Sequence, residues 1–225
     1  MMNRELSERQ NPIIERLKSA GSSSVFADVM GVQQGMDFKM KPVNYKEPLA
    51  GQVRTVSAAP GDNLFLHHAI YASTPGDILV VDGKGYTQSA CLGELMAGAA
   101  QKLGIKGIVV DGLVRDQREL RDMDIQVYAK GFIPVGPSKD GPGSFDETIT
   151  CGGTVVSSYD YVIGDEDGVV VIPASIIEST LDEAEKKLEY EKARMQKIDA
   201  HSPENNDRRA IAPSWLEEKM KQYDL

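Results

Sequence analysis

Apolar positions along the chain fall into two kinds of pattern, helical spacing and short continuous runs, and the two alternate. Leu6, Ile13, Ile14 and Leu17 predict an amphipathic helix over residues 5–20, stopped by Gly21. Ser22 to Ser24 offer N-caps for a second, short helix through Phe26, Val29 and Met30. The β-branched stretch from Val53 to Ala59 predicts a strand, closed by the turn Pro60-Gly61-Asp62-Asn63 and succeeded by a helix carrying Leu64, His67, His68 and Tyr71. Ile78 to Val81 is a run bounded by turn residues, as for a strand buried on both faces. Leu92, Leu95, Met96, Ala99, Ala100 and Leu103 share one helical face, and Gly104 is the natural stop. Ile105 to Val110 predicts another buried strand, then a short polar helix from Arg115 to Met123 and a strand near Ile125 to Ala129.

Beyond the Gly/Pro-rich loop at Pro137 to Gly143, strands are expected near Thr154 to Ser157 and Tyr161 to Ile163. Asp165-Glu166-Asp167-Gly168 reads as a tight turn into the strand Val169 to Ile172; it lacks the alternating spacing of an EF-hand loop. Pro173 suits the first position of a long helix with Ile177, Leu181, Ala184 and Leu188 on one face. The alternation predicts an α/β class with a partly parallel sheet, as one domain over residues 1–199. Residues 200–225 read as a polar tail whose Trp215 and Leu216 are candidates to dock on a neighbouring subunit.

Composition narrows the function. No apolar stretch approaches the roughly 20 residues of a membrane span, and Met1 to Gln10 is polar, so an intracellular, cytoplasmic protein with no membrane partner is expected. A net charge of −9 with no basic patch argues against nucleic acid as a partner. Cys91 and Cys151 form no C-x-x-C motif; the expectation is two reduced, buried thiols. An acidic chain that handles an anionic substrate must concentrate positive charge locally, through a metal, an arginine or a helix N-terminus.

Two segments offer that. In Ile108-Val109-Val110-Asp111-Gly112-Leu113-Val114-Arg115-Asp116, Asp111 is expected at the carboxyl end of a buried strand, where open α/β sheets bind ligands, and Gly112 at a sharp turn. Asp116 suits a hard ion such as Mg²⁺ or Mn²⁺, and Arg115 can hold a carboxylate or keto oxygen. The plain alternative is an exposed turn in which aspartate caps a helix and arginine makes a surface ion pair. In Leu92-Gly93-Glu94-Leu95-Met96, Gly93 opens a helix whose first amides, those of Leu95 and Met96, can receive a substrate carboxylate. Glu94 would address the same place, or would simply complement the helix dipole.

With these segments in hand, the chain resembles the class II 4-hydroxy-4-methyl-2-oxoglutarate / 4-carboxy-4-hydroxy-2-oxoadipate aldolases, a family that includes the RraA-like regulators of ribonuclease activity. The family's mark is an acidic residue, a gap of twenty, then Arg-Asp; Glu94, residues 95–114 and Arg115-Asp116 fit it. Gly61-Asp62-Asn63, Gly76 to Asp82, Gly107 to Gly112 and Asp165 to Pro173 also match. The resemblance implies an αββα sandwich of the swivelling β/β/α type, assembled as a homotrimer or homohexamer with sites between subunits. It implies Asp116 as metal ligand, Arg115 binding substrate and stabilising an enolate, and the amides from Gly93 to Met96 holding a pyruvate carboxylate. Glu94, where the best-known aldolases have Asp, would orient metal-bound water, itself the candidate base, and Glu191 is a candidate for the carboxylate a neighbour contributes. Asp111 completes the expected catalytic set. The implied reaction is metal-dependent cleavage of 4-hydroxy-2-oxo acids to pyruvate, or decarboxylation of oxaloacetate.

Two other readings compete. Lys84 or Lys106 could form a Schiff base, and the chain could be a non-enzymatic inhibitor of a ribonuclease. His67 and His68 titrate in a useful range, but adjacent helical positions point in different directions.

Overall fold

The structure, a computed structural model, describes residues 12–31, 34–202, 204 and 207–223. The first half of the helix expected over residues 5–20 lies outside them. The first half of the fold consists of α1 (Pro12–Ser19), α2 (Ser23–Met30), β1 (Lys41–Pro42), β2 (Leu49–Ala58), α3 (Leu64–Ala72), β3 (Ile78–Leu92), α4 (Glu94–Lys102), β4 (Gly107–Val114) and α5 (Gln117–Asp122). Then come β5 (Gln126–Phe132), β6 (Gly143–Phe145), β7 (Ile149–Cys151), β8 (Thr154–Val156), β9 (Tyr161–Gly164), β10 (Val169–Ile172), α6 (Ile177–Asp199) and α7 (Leu216–Met220).

The strand order is β1-β5-β4-β3-β2-β9-β10, with β6 also on β2. Strands β2 to β5 run parallel, as β-α-β crossovers require. β2 turns the corner between two layers: Leu49 to Gln52 pair with β9, and Val53 to Ser57 pair with β3. Side chains alternate across each strand, so neighbouring residues enter different cores. Ile108 and Val110 pack with Leu66, Ile70, Ala97 and Leu120 beneath α3, α4 and α5. Val109, Val80 and Tyr128 face Val162, Val169 and Val171 between the two sheet layers. Val170 and Ile172 meet Leu17, Phe26, Ile177 and Leu181 of α1, α2 and α6 on the far side. Three cores separate four layers, and the αββα order implied by the resemblance is the observed one.

Several local expectations change. The strand beginning at Ile78 does not end at Val81; it continues through bulges to Leu92, with Lys84 at φ 60°. Its extension pairs with Gly112, Leu113 and Val114, so Asp111 is not at a strand end and Gly112 is not at a turn. α6 proper starts at Ile177, after a 3₁₀ turn at Ala174–Ile176 that Pro173 precedes. The acidic turn at Asp165 is a hairpin joining β9 to β10, and Asp165 accepts bonds from the Ser23 amide and hydroxyl at 2.7 Å each.

The chain forms two compact units, Met1–Ala184 and Glu185–Leu225, the division falling inside α6 where its buried residues end. In the second unit Lys187 and Glu191 pair at 3.2 Å, and Trp215, half exposed, lies under the Lys219 ammonium. Among the described residues no helix is long and apolar enough to cross a membrane.

Candidate active site

β3 ends at Leu92 and β4 at Val114, and these two residues are paired neighbours. The Arg115 amide then donates to the Leu92 carbonyl at 2.9 Å, which carries the pairing one residue past the strands. The start of α4 and the segment after β4 are thereby brought side by side. Gly93 caps α4 with φ −143°, an extended conformation open to any residue, so its glycine answers a demand for room. A Cβ there would lie 2.5 Å from Asp116 Oδ2 and 3.0 Å from Arg115 Nε.

The chain reverses at Asp116, which adopts the left-handed conformation (φ 59°, ψ 47°) and precedes α5. That conformation is uncommon outside glycine, is best tolerated by Asn and Asp, and is a form of strain often found at functional sites. Asp116 Oδ2 accepts the Glu94 amide at 2.9 Å and lies 3.6 Å from Arg115 Nε. Arg115 and Asp116, adjacent in sequence, therefore also face one another. Both stay open to solvent, with side-chain exposures of 42% and 36%. In the first turn of α4 the amides of Leu95 and Met96 have no intrahelical carbonyl within reach. Thus Gly93, Glu94, Leu95, Met96, Arg115 and Asp116 converge.

Asp111 does not join them. Its carboxylate accepts the Gly152 amide at 2.7 Å and meets Lys130 Nζ at 2.6 Å; Lys130 in turn reaches Asp37 at 3.3 Å. Burial alone would lower the Lys130 pKa, but the nearby Asp111 and Asp37 carboxylates together outweigh it and raise the value. Asp111 ties three segments together from within the strand.

Lys84 bonds Asp82 at 2.5 Å and Ser57 at 3.0 Å, and Lys106 is exposed at the opposite, N-terminal ends of the strands. Neither has the desolvated, carboxylate-free surroundings of a Schiff-base lysine. His67 is half buried, and burial pushes its pKa down, with Lys139 adding to the shift. His68 packs edge-on against Phe145 with ring centroids 5.6 Å apart. Cys91 and Cys151 are both free and buried; burial pushes the Cys91 thiol up to about 12.

Two supporting residues were not singled out from sequence. Asn63 donates through Nδ2 to the Cys91 carbonyl (3.0 Å) and Met96 Sδ (3.1 Å), fixing both sides of the Gly93 cap. Gly136 closes over the guanidinium: a Cβ there would lie 3.0 Å from Arg115 Nη1. The Gly61-Asp62-Asn63 triplet was a visible signal for the first, whereas nothing local marks the second.

Among the described residues no cluster of three or more His, Cys, Asp or Glu side chains could encage a metal. An oxygen-seeking ion of the Mg²⁺ kind still fits this donor set, because it keeps several waters and takes one or two carboxylates from the protein. Asp116 is a solvent-reachable carboxylate, and Gly93 lets the start of α4 approach it without a side chain in the way.

Comparison with known proteins identifies the family. A family model described as RraA-like, Aldolase/RraA, matches residues 19–171. A protein of Halalkalibacterium halodurans named "Putative 4-hydroxy-4-methyl-2-oxoglutarate aldolase" is 35% identical over 176 residues, covering 78% of this chain and 84% of the relative. The RNA-processing inhibitor RraA from Thermus thermophilis superposes with a TM-score of 0.63 at 29% identity, over 68% of this chain and 93% of that one. An unusual member of the RNase ES inhibitor RraA protein family from Streptomyces coelicolor gives 0.73 at 24% identity, over 83% and 98%, a likeness of fold.

Proposed function

The chain belongs to the RraA-like family, Aldolase/RraA, and on that premise we propose that it is a divalent-metal-dependent carbon–carbon lyase that cleaves 4-hydroxy-2-oxo acids, such as 4-hydroxy-4-methyl-2-oxoglutarate, to pyruvate and decarboxylates oxaloacetate. The observation that carries this reading is the meeting of the Gly93 cap with Arg115 and Asp116, at 2.9 Å between the Glu94 amide and Asp116 Oδ2.

Both reactions share one hard step, in which the electrons of a breaking C3–C4 bond move into the 2-oxo group to give pyruvate enolate. Asp116 would hold Mg²⁺ or Mn²⁺, which would supply Lewis acidity for the keto oxygen. Arg115 places a charge-assisted donor where negative charge develops, in cleavage and decarboxylation alike. The Leu95 and Met96 amides, at the positive end of α4, receive the substrate carboxylate. Glu94, exposed beside them, accepts from water and orients it towards the substrate's 4-hydroxyl. Asp111 belongs to the same proposal as the residue that positions β4 through Lys130.

Leu95, Phe132 and Val135 are exposed by 84%, 41% and 53% near these strand ends. Such an apolar rim supports a homotrimer or homohexamer in which a second copy covers the site. Its Glu191 is the carboxylate that would arrive with it.

The deciding experiment is a panel of 2-oxo acids and aldols with pyruvate release monitored with and without added Mg²⁺ or Mn²⁺. Cleavage abolished by EDTA and restored by metal is the expected result. Metal-independent turnover trapped by borohydride would overturn the assignment in favour of a lysine imine. A silent panel, together with metal-independent capture of a ribonuclease, would favour the inhibitor reading.

A further inference from the structure

The N-terminal ends of β2, β4 and β5 and the face of α1 enclose a cleft of about 440 Å³, at the end of the parallel strands away from Arg115 and Asp116. The eight residues of β4 put roughly 25 Å between the two ends. Three features of the cleft need explaining. Its floor is apolar, from Ile14, Leu49 and Ile105. Gln126, only 5% exposed, lines it, and the buried Oε1 of that side chain has no hydrogen-bond partner. An orphaned acceptor of this kind costs stability unless something completes it. Finally, the rim carries Glu15, Glu47, Lys18 and Lys106, none of which pairs with a described residue, whereas the neighbouring Asp124 is already bonded to Lys46 at 2.6 Å.

The cleft is also held in shape. Gln101 Oε1 accepts the amides of Asp124 and Ile125 at 2.9 Å each, fastening the start of β5 to α4. The Lys106 carbonyl lies within 3.4 Å of the Gln126 amide, so Lys106, just before β4, and Gln126 of β5 are neighbours. A ligand that satisfies this set needs an N–H donor for Gln126, an apolar body for the floor, and charges of both signs for the rim.

We propose that this cleft is a binding site for a small zwitterionic amino acid with an apolar side chain, its ammonium donating to Gln126 Oε1 and its carboxylate meeting Lys106. The site is independent of the lyase chemistry, since none of its residues lies near Gly93 or Asp116. It would make the chain responsive to amino-acid supply at the far end of the strand that ends at Val114, next to Arg115.

Calorimetric titration of the full chain with L-leucine tests it, beside 4-methylpentanoate, which lacks the ammonium, and 3-methylbutylamine, which lacks the carboxylate. L-leucine is expected to bind in the millimolar range or tighter, and each analogue at least about tenfold more weakly. Gln126→Leu and Lys106→Ala should each lose the binding, with the former melting no lower than the parent. Lys106 is exposed, so Lys106→Ala keeps the test valid even if Gln126→Leu fails to fold. No heat with leucine, leucine no tighter than both analogues, or binding unchanged in Lys106→Ala overturns the proposal.

Discussion

The main-chain N–H of Glu94 donates to Oδ2 of Asp116 at 2.9 Å, across the junction between α4 and the end of β4. This single bond sets the position of Asp116, the proposed metal ligand, against the helix end that would receive a substrate carboxylate. Asp116→Asn tests charge apart from shape. Asparagine tolerates the left-handed conformation and retains an acceptor for the Glu94 amide. The melting temperature should stay near the parent's while metal-dependent pyruvate release falls by at least about 100-fold. Activity within a fewfold of the parent would remove Asp116 from the metal.

Arg115→Ala should lower turnover by about 100- to 1000-fold, the usual cost of losing one donor to a developing oxyanion. Its side chain is 42% exposed, so stability should barely change. Steady-state assays beside thermal melts give both quantities.

Gly93→Ala brings a methyl group to 2.5 Å from Asp116 Oδ2, and one of the two must move. Displacements of about 1 Å at a reacting centre cost on the order of 100-fold. The variant should fold, because φ −143° suits alanine, and should show the loss mainly in turnover. An alanine variant as active as the parent would mean that the glycine serves only packing.

Asp62 carries a pH prediction. It accepts the Leu64 amide, the Ser138 hydroxyl and the Asp140 amide. Burial alone would raise its pKa, but these bonds outweigh burial and hold it at about 2. A depressed folded-state pKa gives stability that is complete above the unfolded value near 4 and lost as pH falls towards 2. Asp62→Asn should therefore cost about 2 kcal/mol at neutral pH, and the gap to the parent should close across that acid window. Urea unfolding at several pH values measures it; a pH-independent gap would contradict the linkage.

Tyr128 is fully buried, and its hydroxyl has no partner. Tyr128→Phe removes an unsatisfied group from the core and should be neutral or stabilising by about 1 kcal/mol. A loss of that size in chemical denaturation would reveal a bound water at the hydroxyl.

The sequence was most legible where apolar pattern and local punctuation coincide. Val169 to Ile172, bounded by the Asp165 turn and Pro173, is a strand with the limits expected, and the face of Ile177, Leu181 and Ala184 is buried. It was least legible where distant pairing overrides local signals. Asp82-Gly83-Lys84-Gly85 reads as a break, yet neighbours on β4 keep β3 in the sheet to Leu92. The same pairing absorbs Gly112, so the reversal waits until Asp116. Within the candidate site, Gly93, Glu94, Arg115 and Asp116 could be placed together because one crossover joins them. Asp111 was misjudged because its partners, Lys130 and Gly152, come from elements remote in the chain.

The twenty residues between Glu94 and Arg115 comprise the rest of α4, the turn at 103–106 and all of β4. They act as a ruler. Adding or removing one residue in the helix would swing its first turn by about 100° and carry the glycine cap away from Asp116. Length changes among relatives that keep this site must therefore fall elsewhere, in the loop at 133–142 or beyond Ala184. A relative with an altered interval would have to have given up the site or rebuilt it from other residues.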